Sequence, residues 1–258
     1  MSTTDGARGP AALETLGLYK SFGALRVAEN VDLRLPHGAR HALIGPNGAG
    51  KTTLINLITG ALAPSAGQIR LRGRDITGLP QHKRARLGIA RTFQINQLFG
   101  DLAVIDNVAL ALAERTGASR HFWRPLGRED ALLDEAFALL DMLGLATVAM
   151  QPIRTLPYGH QRIMEIAIAL ATRPRILLLD EPAAGVPAAD TRAILDAIER
   201  LHDDIAVLIV EHDMDLVFRF ARRITVMVGG AILTEGTREE IAADPRVRAA
   251  YLGHGQHA

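Results

Sequence analysis

The pattern of apolar and polar positions divides the chain into strands and helices that alternate along most of its length. Three short runs are dominated by apolar residues and end beside a glycine or an acidic residue: 39–44, 175–180 and 205–210. Strands that are buried on both faces of a parallel sheet carry runs of this kind. We therefore predict a parallel sheet that contains these three strands.

Other segments follow different periods. Residues 67–73 alternate between apolar and polar positions, which indicates a half-buried strand, and 224–234 reads as a hairpin around two glycines. The basic stretch 80–92 fits a solvated helix face better than an anion site. Short strands are predicted within 13–35, and helices within 102–150, 163–170, 189–201 and the tail around Tyr251 and Leu252.

This order of elements predicts an α/β core that carries a mainly helical insertion at about 95–165. Residues 1–12 are predicted to be a disordered leader, and 13–258 to form a single domain. Within the insertion, 115–130 has the composition of a loop.

One glycine-rich segment carries chemistry. Residues 45–53 fit the pattern G-x-x-x-x-G-K-[ST], between an apolar strand and a run with helical spacing. In that context the backbone N–H groups face phosphate oxygens, and the helix N-terminus adds the positive end of its dipole. Lys51 supplies a cation for the outer phosphates, and the Thr52 hydroxyl suits Mg²⁺. The alternative is a glycine-rich turn without a ligand. The predicted binding residues are Gly45, Asn47, Gly48, Ala49, Gly50, Lys51, Thr52 and Thr53.

Acidic residues and a histidine follow the other two buried strands. Asp180 and Glu181 stand where the second strand ends, and the carboxyl ends of parallel strands are where α/β folds place ligands. Asp180 is suited to hold Mg²⁺ through water, and Glu181 to polarise an attacking water. His212, after the third strand, can bond to a terminal phosphate. Two alternatives stay open, because paired acids also serve as helix N-caps and histidines are common at strand ends.

Composition narrows the class of protein. Of 258 residues, 48% are hydrophobic and 22% are charged, as in ordinary globular proteins, and the net charge of +1 gives no reason to expect a nucleic-acid partner. The chain has no cysteine, which excludes disulfides and cysteine metal sites. No apolar run reaches the length of a membrane span, so work at a membrane would require docking to a partner.

Together these segments resemble the ATP-binding-cassette (ABC) ATPases over residues 13–253. The resemblance implies a P-loop NTPase (RecA-like) core, an N-terminal antiparallel β subdomain and an inserted helical subdomain. It also implies a head-to-tail dimer that closes on ATP and Mg²⁺ and reopens after hydrolysis. Phe22 matches the aromatic residue that stacks on adenine, Gln94 matches the glutamine that contacts Mg²⁺ or the attacking water, and 156–162 matches the signature segment.

The resemblance assigns a role to each matched position. Catalysis falls to Glu181, His212 and Gln94, and Mg²⁺ to Thr52, Gln94 and Asp180. The signature residues, which act on the nucleotide of the opposite subunit, are Pro157, Tyr158, Gly159 and Gln161.

Within that family, the chain is most similar to the ATPase subunits of branched-chain amino-acid importers. The similarity rests on 91–107, on the L-x-Y-G-x-Q-R form of the signature, on 180–185 and on 235–253. It implies permease subunits, a second ABC ATPase or another copy of this chain as partners, and a peripheral position on the cytoplasmic face of the membrane. A lipopolysaccharide-export ATPase and a non-transport ABC clamp are the alternatives. An unrelated GTPase would need an N-K-x-D motif, which none of the three lysines provides.

Two positions depart from the family pattern. The signature carries Pro157 where the family has serine, and Gly185-Val186-Pro187 replaces a loop that normally ends in Asn or Asp. Both departures fall on elements that serve the opposite nucleotide, so we predict a heterodimer with one weakened composite site. The alternative is that Gly159 and the helix dipole suffice and that Pro157 is tolerated.

Overall fold

The computed structural model describes residues 11–92, 98–117 and 127–252. These residues fall into two compact units. The first contains 11–89, 175–180 and 202–252, and the second contains the described parts of 90–174 and 181–201. None of the described helices combines the length and the hydropathy that crossing a bilayer requires.

The first unit contains two sheets. The strands of these sheets are β1 (Ala11–Phe22), β2 (Leu25–Val31), β3 (Arg34–Pro36), β4 (Arg40–Ile44), β5 (Ala66–Leu71), β6 (Arg74–Asp75), β7 (Ile89–Arg91), β8 (Ile176–Asp180), β9 (Ala206–Val210), β10 (Arg223–Val228) and β11 (Ala231–Gly236), and only β7 extends into the second unit, with its last two residues. The antiparallel sheet has the order β2-β1-β5-β6, and β3 pairs with β1. The larger sheet has the order β11-β10-β4-β9-β8-β7.

The larger sheet is parallel where the apolar runs predicted it. Strands β10, β4, β9 and β8 are parallel neighbours, and β11 closes the edge as an antiparallel hairpin. Every residue of β4, β8 and β9 is buried, as strands covered on both faces require. The predicted strands and hairpin are confirmed.

Five helices belong to the first unit: α1 (Lys51–Thr59), α2 (Gln81–Arg86), α7 (Met214–Phe220), α8 (Arg238–Ala243) and α9 (Pro245–Leu252). Their ends follow local chemistry. Gly60 ends α1 in the left-handed region, and Asp213 caps α7 by accepting bonds from two backbone N–H groups. Thr237 and Glu240 form a reciprocal capping box at the start of α8.

The second unit is helical. Its helices are α3 (Val104–Thr116), α4 (Gly127–Met142), α5 (Tyr158–Ala171) and α6 (Ala188–Glu199). Glu135 on α4 accepts from Arg115 of α3 and from Arg173 just after α5, and these bonds hold the pKa of Glu135 below its usual range. Since the antiparallel sheet, the mixed sheet and this helical unit are all present, the predicted fold class is confirmed.

Three details differ from the sequence analysis. Strand β1 begins at Ala11, inside the segment predicted as leader. The loop predicted for 115–130 overlaps the end of α3 and the start of α4, and its middle lies outside the described residues. The third difference is Arg84, from the stretch predicted to be a solvated face, which is fully buried.

Arg84 is buried because its guanidinium satisfies backbone carbonyls. It donates to Leu57 O at 2.7 Å and Ile58 O at 2.8 Å at the end of α1, and to Thr77 O and Leu79 O, both at 2.8 Å. A cation there complements the negative end of the α1 dipole, while burial lowers the pKa of the guanidinium.

Candidate functional site

Three neighbouring strands of the mixed sheet end at one level. Leu43 of β4 lies opposite Val210 of β9, and Val210 lies opposite Asp180 of β8. The segments that leave these strands are therefore adjacent at the carboxyl edge of the sheet. They are the glycine-rich loop, Glu211 with His212, and the acidic end of β8.

The glycine-rich loop is pressed against its neighbours. A Cβ atom on Gly45 would lie 2.2 Å from Met227 O, and one on Gly50 would lie 2.5 Å from Val27 O. Both glycines have a positive φ, 154° and 99°, which side chains disfavour. Inside the loop, the Ala49 N–H donates to Pro46 O at 3.1 Å, and the Ala49 carbonyl accepts from Gly230 at 3.0 Å. The loop is therefore a fixed backbone cradle.

Lys51 is the first residue of α1, and it is buried although its ammonium group is charged. Its Nζ donates to Gly45 O at 2.6 Å and to Pro46 O at 3.1 Å, so the side chain folds back over the loop. The other predicted loop residues differ in solvent exposure. Ala49 is buried, Thr53 is partly exposed, and Asn47, Gly48 and Thr52 are exposed. A cation and an exposed hydroxyl thus stand at the start of α1.

Asp180 and His212 lie on neighbouring strand ends. Asp180 is 5% exposed, while the His212 side chain is 68% exposed. Directly after β9 comes a carboxylate that sequence reasoning left without a role, the buried Glu211. The Glu211 carboxylate accepts from the His212 backbone N–H at 3.1 Å and lies 3.8 Å from its Nδ1. An acid immediately before His212 at the end of an apolar run was the available signal.

Glu181 directly follows β8 and has a strained backbone. Its φ is 48°, in the left-handed region, and its carbonyl accepts from Ala184 at 3.0 Å in a tight turn. Non-glycine residues held there cluster at functional sites. The next helix, α6, begins seven residues later behind Pro187, so neither Asp180 nor Glu181 acts as its N-cap.

Phe22 is at the end of β1, where it pairs with Leu25 across the turn into β2. Its side chain is exposed, so it is not a core residue. The Lys20 ammonium lies 5.1 Å from the ring centroid and donates to Ala63 O at 2.8 Å. An exposed aromatic ring is suited to stack on a planar ligand.

The signature residues lie in the second unit, at the start of α5. Pro157 is the N-cap, and no side chain caps this helix end. The backbone N–H groups of Tyr158, Gly159 and His160 therefore have no partner within the helix, as at any helix start. Gln161 Nε2 donates to Leu156 O at 3.0 Å.

Two neighbours shape the start of α5. A Cβ on Gly159 would lie 2.7 Å from Asp190 Cβ on α6, so the contact between α5 and α6 requires glycine there. The Tyr158 ring stacks on Arg162 at 5.0 Å and lies near Gly185, which adopts a φ of 72°. A carboxylate and an aromatic ring therefore flank this helix end.

The structure thus assembles the loop, Asp180 and His212 at one sheet edge in the first unit, with Glu181 next in the chain. Phe22 belongs to the antiparallel sheet of the same unit, and the signature belongs to the second unit. Gln94 lies outside the described residues.

Comparisons with known proteins identify the family to which the chain belongs. The family model described as ABC transporter matches residues 28–184, and a second, described as branched-chain amino acid ATP-binding cassette transporter, matches 231–257. The chain is 40% identical to the high-affinity branched-chain amino acid transport ATP-binding protein BraF of Pseudomonas aeruginosa, over 93% of this chain and 97% of that protein. It is 41% identical to LivG of Escherichia coli K12, which carries the same description, over 93% and 97%.

Solved structures show the same fold. The ADP conformation of an ATP-binding cassette of an ABC transporter superimposes with a TM-score of 0.82 at 31% identity, covering 95% of this chain and all of that one. A nucleotide-free ATP-binding cassette gives 0.80 at 31% identity, covering 93% and 98%. The chain therefore belongs to the ABC transporter family, as one of its ATP-binding, ATP-hydrolysing members.

Proposed function

We propose that this chain energises a membrane importer for branched-chain or related amino acids, through closure of an ATPase dimer on ATP. The observation that carries the proposal is the aligned strand edge, where the glycine-rich loop, Asp180 and His212 meet. The proposed cargo comes from the relatives whose names specify branched-chain amino acid transport. The C-terminal family model supports the same cargo.

The phosphate chain of ATP would bind to the loop. The N–H groups at the start of α1 and the Lys51 ammonium face the developing negative charge, and Asn47, Gly48 and Thr53 line the same turn. Lys51 now shares its protons with Gly45 O and Pro46 O, so it can extend toward the β- and γ-phosphates without leaving the loop. The exposed ring of Phe22 would stack on the adenine.

The donor set at the edge suits Mg²⁺. The Thr52 hydroxyl and the Asp180 carboxylate are hard oxygen ligands, and Mg²⁺ in phosphate sites takes one or two such ligands together with phosphate oxygens and water. Gln94 would contribute from the segment outside the described residues. When bound, the ion would neutralise charge that develops on the phosphates.

Hydrolysis would be an in-line displacement. Glu181 would accept a proton from water as the water oxygen attacks the γ-phosphorus, and the bond to the β–γ bridging oxygen would break with its electron pair leaving on ADP. His212 would bond to the γ-phosphate, with Glu211 orienting the imidazole from 3.8 Å.

The variant Glu181→Gln tests this chemistry. We expect it to bind ATP as the wild type does and to lose about 10²- to 10⁴-fold in turnover, because a general base contributes on that order. Glu239→Gln, on the exposed first turn of α8, is the matched control. Normal turnover in Glu181→Gln would remove the base assignment.

The signature is proposed to act on the nucleotide of a second ABC subunit, in a heterodimer rather than a homodimer. Because position 157 has no hydroxyl, the site that uses this signature should bind ATP and turn over slowly. Loss of one donor to a developing phosphate charge lowers a rate about 10²-fold. Pro157→Ser, assayed with the natural partner, should raise turnover, and unchanged turnover would remove the asymmetry.

The permease is proposed to contact the surface around Phe99. This side chain is 60% exposed, although its backbone is fixed by Asn107, whose Oδ1 accepts from the Phe99 N–H at 2.9 Å. Because the chain contains no cysteine, Phe99→Cys creates a unique thiol that should cross-link to a permease loop. Leu25→Cys, exposed on the first unit, should not cross-link.

Reconstitution tests the proposed function as a whole. The chain should be recruited to membranes by co-expressed permease subunits, on their cytoplasmic face, and should support ATP-dependent uptake of radiolabelled leucine in proteoliposomes. Failure of uptake with preserved ATP hydrolysis would favour the two alternatives, a lipopolysaccharide-export ATPase or a non-transport ABC clamp. Neither is favoured by the names of the relatives.

A further inference from the structure

The C-terminal helix brings a buried hydroxyl to the phosphate loop. Helix α9 packs against α8 and β11, and Tyr251 stands near its end. The Tyr251 hydroxyl oxygen is buried and makes no hydrogen bond within the described residues. The backbone N–H of Gly45 is close enough to influence this oxygen, although the two do not form a hydrogen bond. Burial raises the pKa of this hydroxyl, and the Gly45 N–H offsets part of that effect.

Gly45 is the residue where the loop is most constrained. Its carbonyl accepts from Lys51 Nζ at 2.6 Å, and its Cα faces Met227 O of β10 so closely that a Cβ would lie 2.2 Å from that oxygen. The residue whose carbonyl accepts from Lys51 is therefore held on one side by β10. Tyr251 lies against the N–H of the same residue.

A buried hydroxyl without a partner is unfavourable, because it has lost its bonds to water. The chain could avoid this with phenylalanine at the same position. A small shift of Gly45 would close the bond, and the loop that begins at Gly45 is the segment on which phosphate is proposed to bind. We therefore expect the Tyr251 oxygen to accept a hydrogen bond from the Gly45 N–H in the nucleotide-bound protein.

We propose that Tyr251 is a positioning residue for the phosphate loop. With nucleotide bound, its hydroxyl accepts a hydrogen bond from the Gly45 N–H and so restrains the residue whose carbonyl contacts Lys51. The C-terminal helix thereby becomes part of the nucleotide site without touching the nucleotide. This inference rests on ATP binding at the loop.

The variant Tyr251→Phe tests the inference, because it keeps the ring and removes only the oxygen. We expect the affinities for Mg-ATP and Mg-ADP, measured by calorimetry, to fall about three- to tenfold, the effect of one neutral hydrogen bond. The melting temperature without nucleotide should stay the same or rise, since an unsatisfied buried group is lost. Tyr19→Phe, on β1 of the same unit, should change neither quantity.

The outcomes separate the possible failures. Wild-type affinity in Tyr251→Phe would overturn the inference while leaving the nucleotide site intact. A lower melting temperature with unchanged affinity would also overturn it, because it would indicate packing alone. If the wild type itself failed to bind Mg-ATP, the site assignment would fall instead.

Hydrogen exchange provides a second measurement. In the wild type, Mg-ADP should slow exchange of the Gly45 amide, and in Tyr251→Phe this slowing should be lost. The Leu54 amide, which donates to Gly50 O at 2.9 Å within α1, should be protected equally in both. No slowing at Gly45 in the wild type would contradict the proposed bond, even if the variant failed to fold.

Discussion

Helices α1 and α5 both begin in a glycine-containing turn, and neither has a side-chain cap or an acidic residue in its first turn. Both therefore present free backbone N–H groups and the positive end of a dipole to an anion. Their side chains differ. Helix α1 adds the Lys51 ammonium and the hydroxyls of Thr52 and Thr53, whereas α5 begins behind Pro157, which has no donor.

The surroundings increase this difference. The C-terminal end of α1 is held by the buried guanidinium of Arg84, whereas the first turn of α5 packs against the Asp190 side chain. A carboxylate near a phosphate site raises the cost of binding an anion. The comparison shows two uncapped helix starts with different side chains. At α1 a cation and two hydroxyls accompany the backbone N–H groups, as the proposed phosphate binding requires, whereas position 157 of α5 adds no donor.

The largest change in nucleotide affinity is expected when the cation of α1 is removed. Lys51→Ala should weaken Mg-ATP binding by about 100-fold or more, because a charge-assisted contact to phosphate and the support of two loop carbonyls are lost together. Lys83→Ala, on the exposed face of α2, is the matched control and should bind normally. Equal affinities for the two variants would mean that the Lys51 ammonium contributes nothing to binding at α1.

Arg84 tests whether the anchoring of α1 matters. Arg84→Met should lower the free energy of unfolding by roughly 3 kcal/mol, because it leaves several buried carbonyls without donors. Arg86→Met, two residues away and exposed, should change it by less than about 0.5 kcal/mol. Urea titrations of both variants measure the difference. Similar midpoints would show that the C-terminal end of α1 needs no buried cation.

A smaller effect should come from His41, a buried residue of β4. Its imidazole is 1% exposed, and Nε2 lies 2.7 Å from Thr225 Oγ1. Burial lowers the pKa of His41 to about 4, with Glu235 opposing and Arg223 adding to the shift. The unfolded chain, with a pKa near 6.5, then binds a proton that the folded chain does not. Stability should therefore fall as the pH falls from 7 toward 4.

Between pH 7 and pH 5 the expected loss is about 2 kcal/mol in the free energy of unfolding. Urea unfolding at the two pH values measures it, with His41→Gln and the exposed His82→Gln compared side by side. The His41 variant should lose this part of the pH dependence, and the His82 variant should keep it. If both variants kept the wild-type slope, the buried imidazole would not be its source.

The parts of the site whose residues are close together in the sequence could be predicted. The glycines and lysine of the loop, and the acids after β8, are local patterns that follow apolar runs, so their position at a sheet edge follows from the strands alone. The same runs predicted that β4, β8 and β9 lie in one parallel sheet, but the order of the strands came from the structure.

Features that depend on distant partners could not be predicted. Arg84 reads as one of several basic residues on a helix, and only the fold brings it to carbonyls 26 and 27 residues away in the chain. The need for glycine at 159 arises from Asp190 on another helix. Tyr251 was predicted only as part of a closing helix, and nothing in its neighbourhood in the sequence indicates that it lies near Gly45. Contacts between residues so far apart in the chain produce no periodic pattern in the local sequence.

The central claim is that this chain supplies a complete set of side chains to the nucleotide on its own loop, but only backbone groups to the nucleotide of the opposite subunit. Its most direct test is to measure, in a single turnover, what fraction of the bound ATP is hydrolysed quickly. The dimer with the natural partner would be loaded with radiolabelled ATP, and hydrolysis would be followed by quenched flow. We expect half of the bound ATP to be hydrolysed in a fast phase and the rest about 100-fold more slowly, with Pro157→Ser accelerating the second phase. Hydrolysis of both nucleotides in one phase would contradict the account.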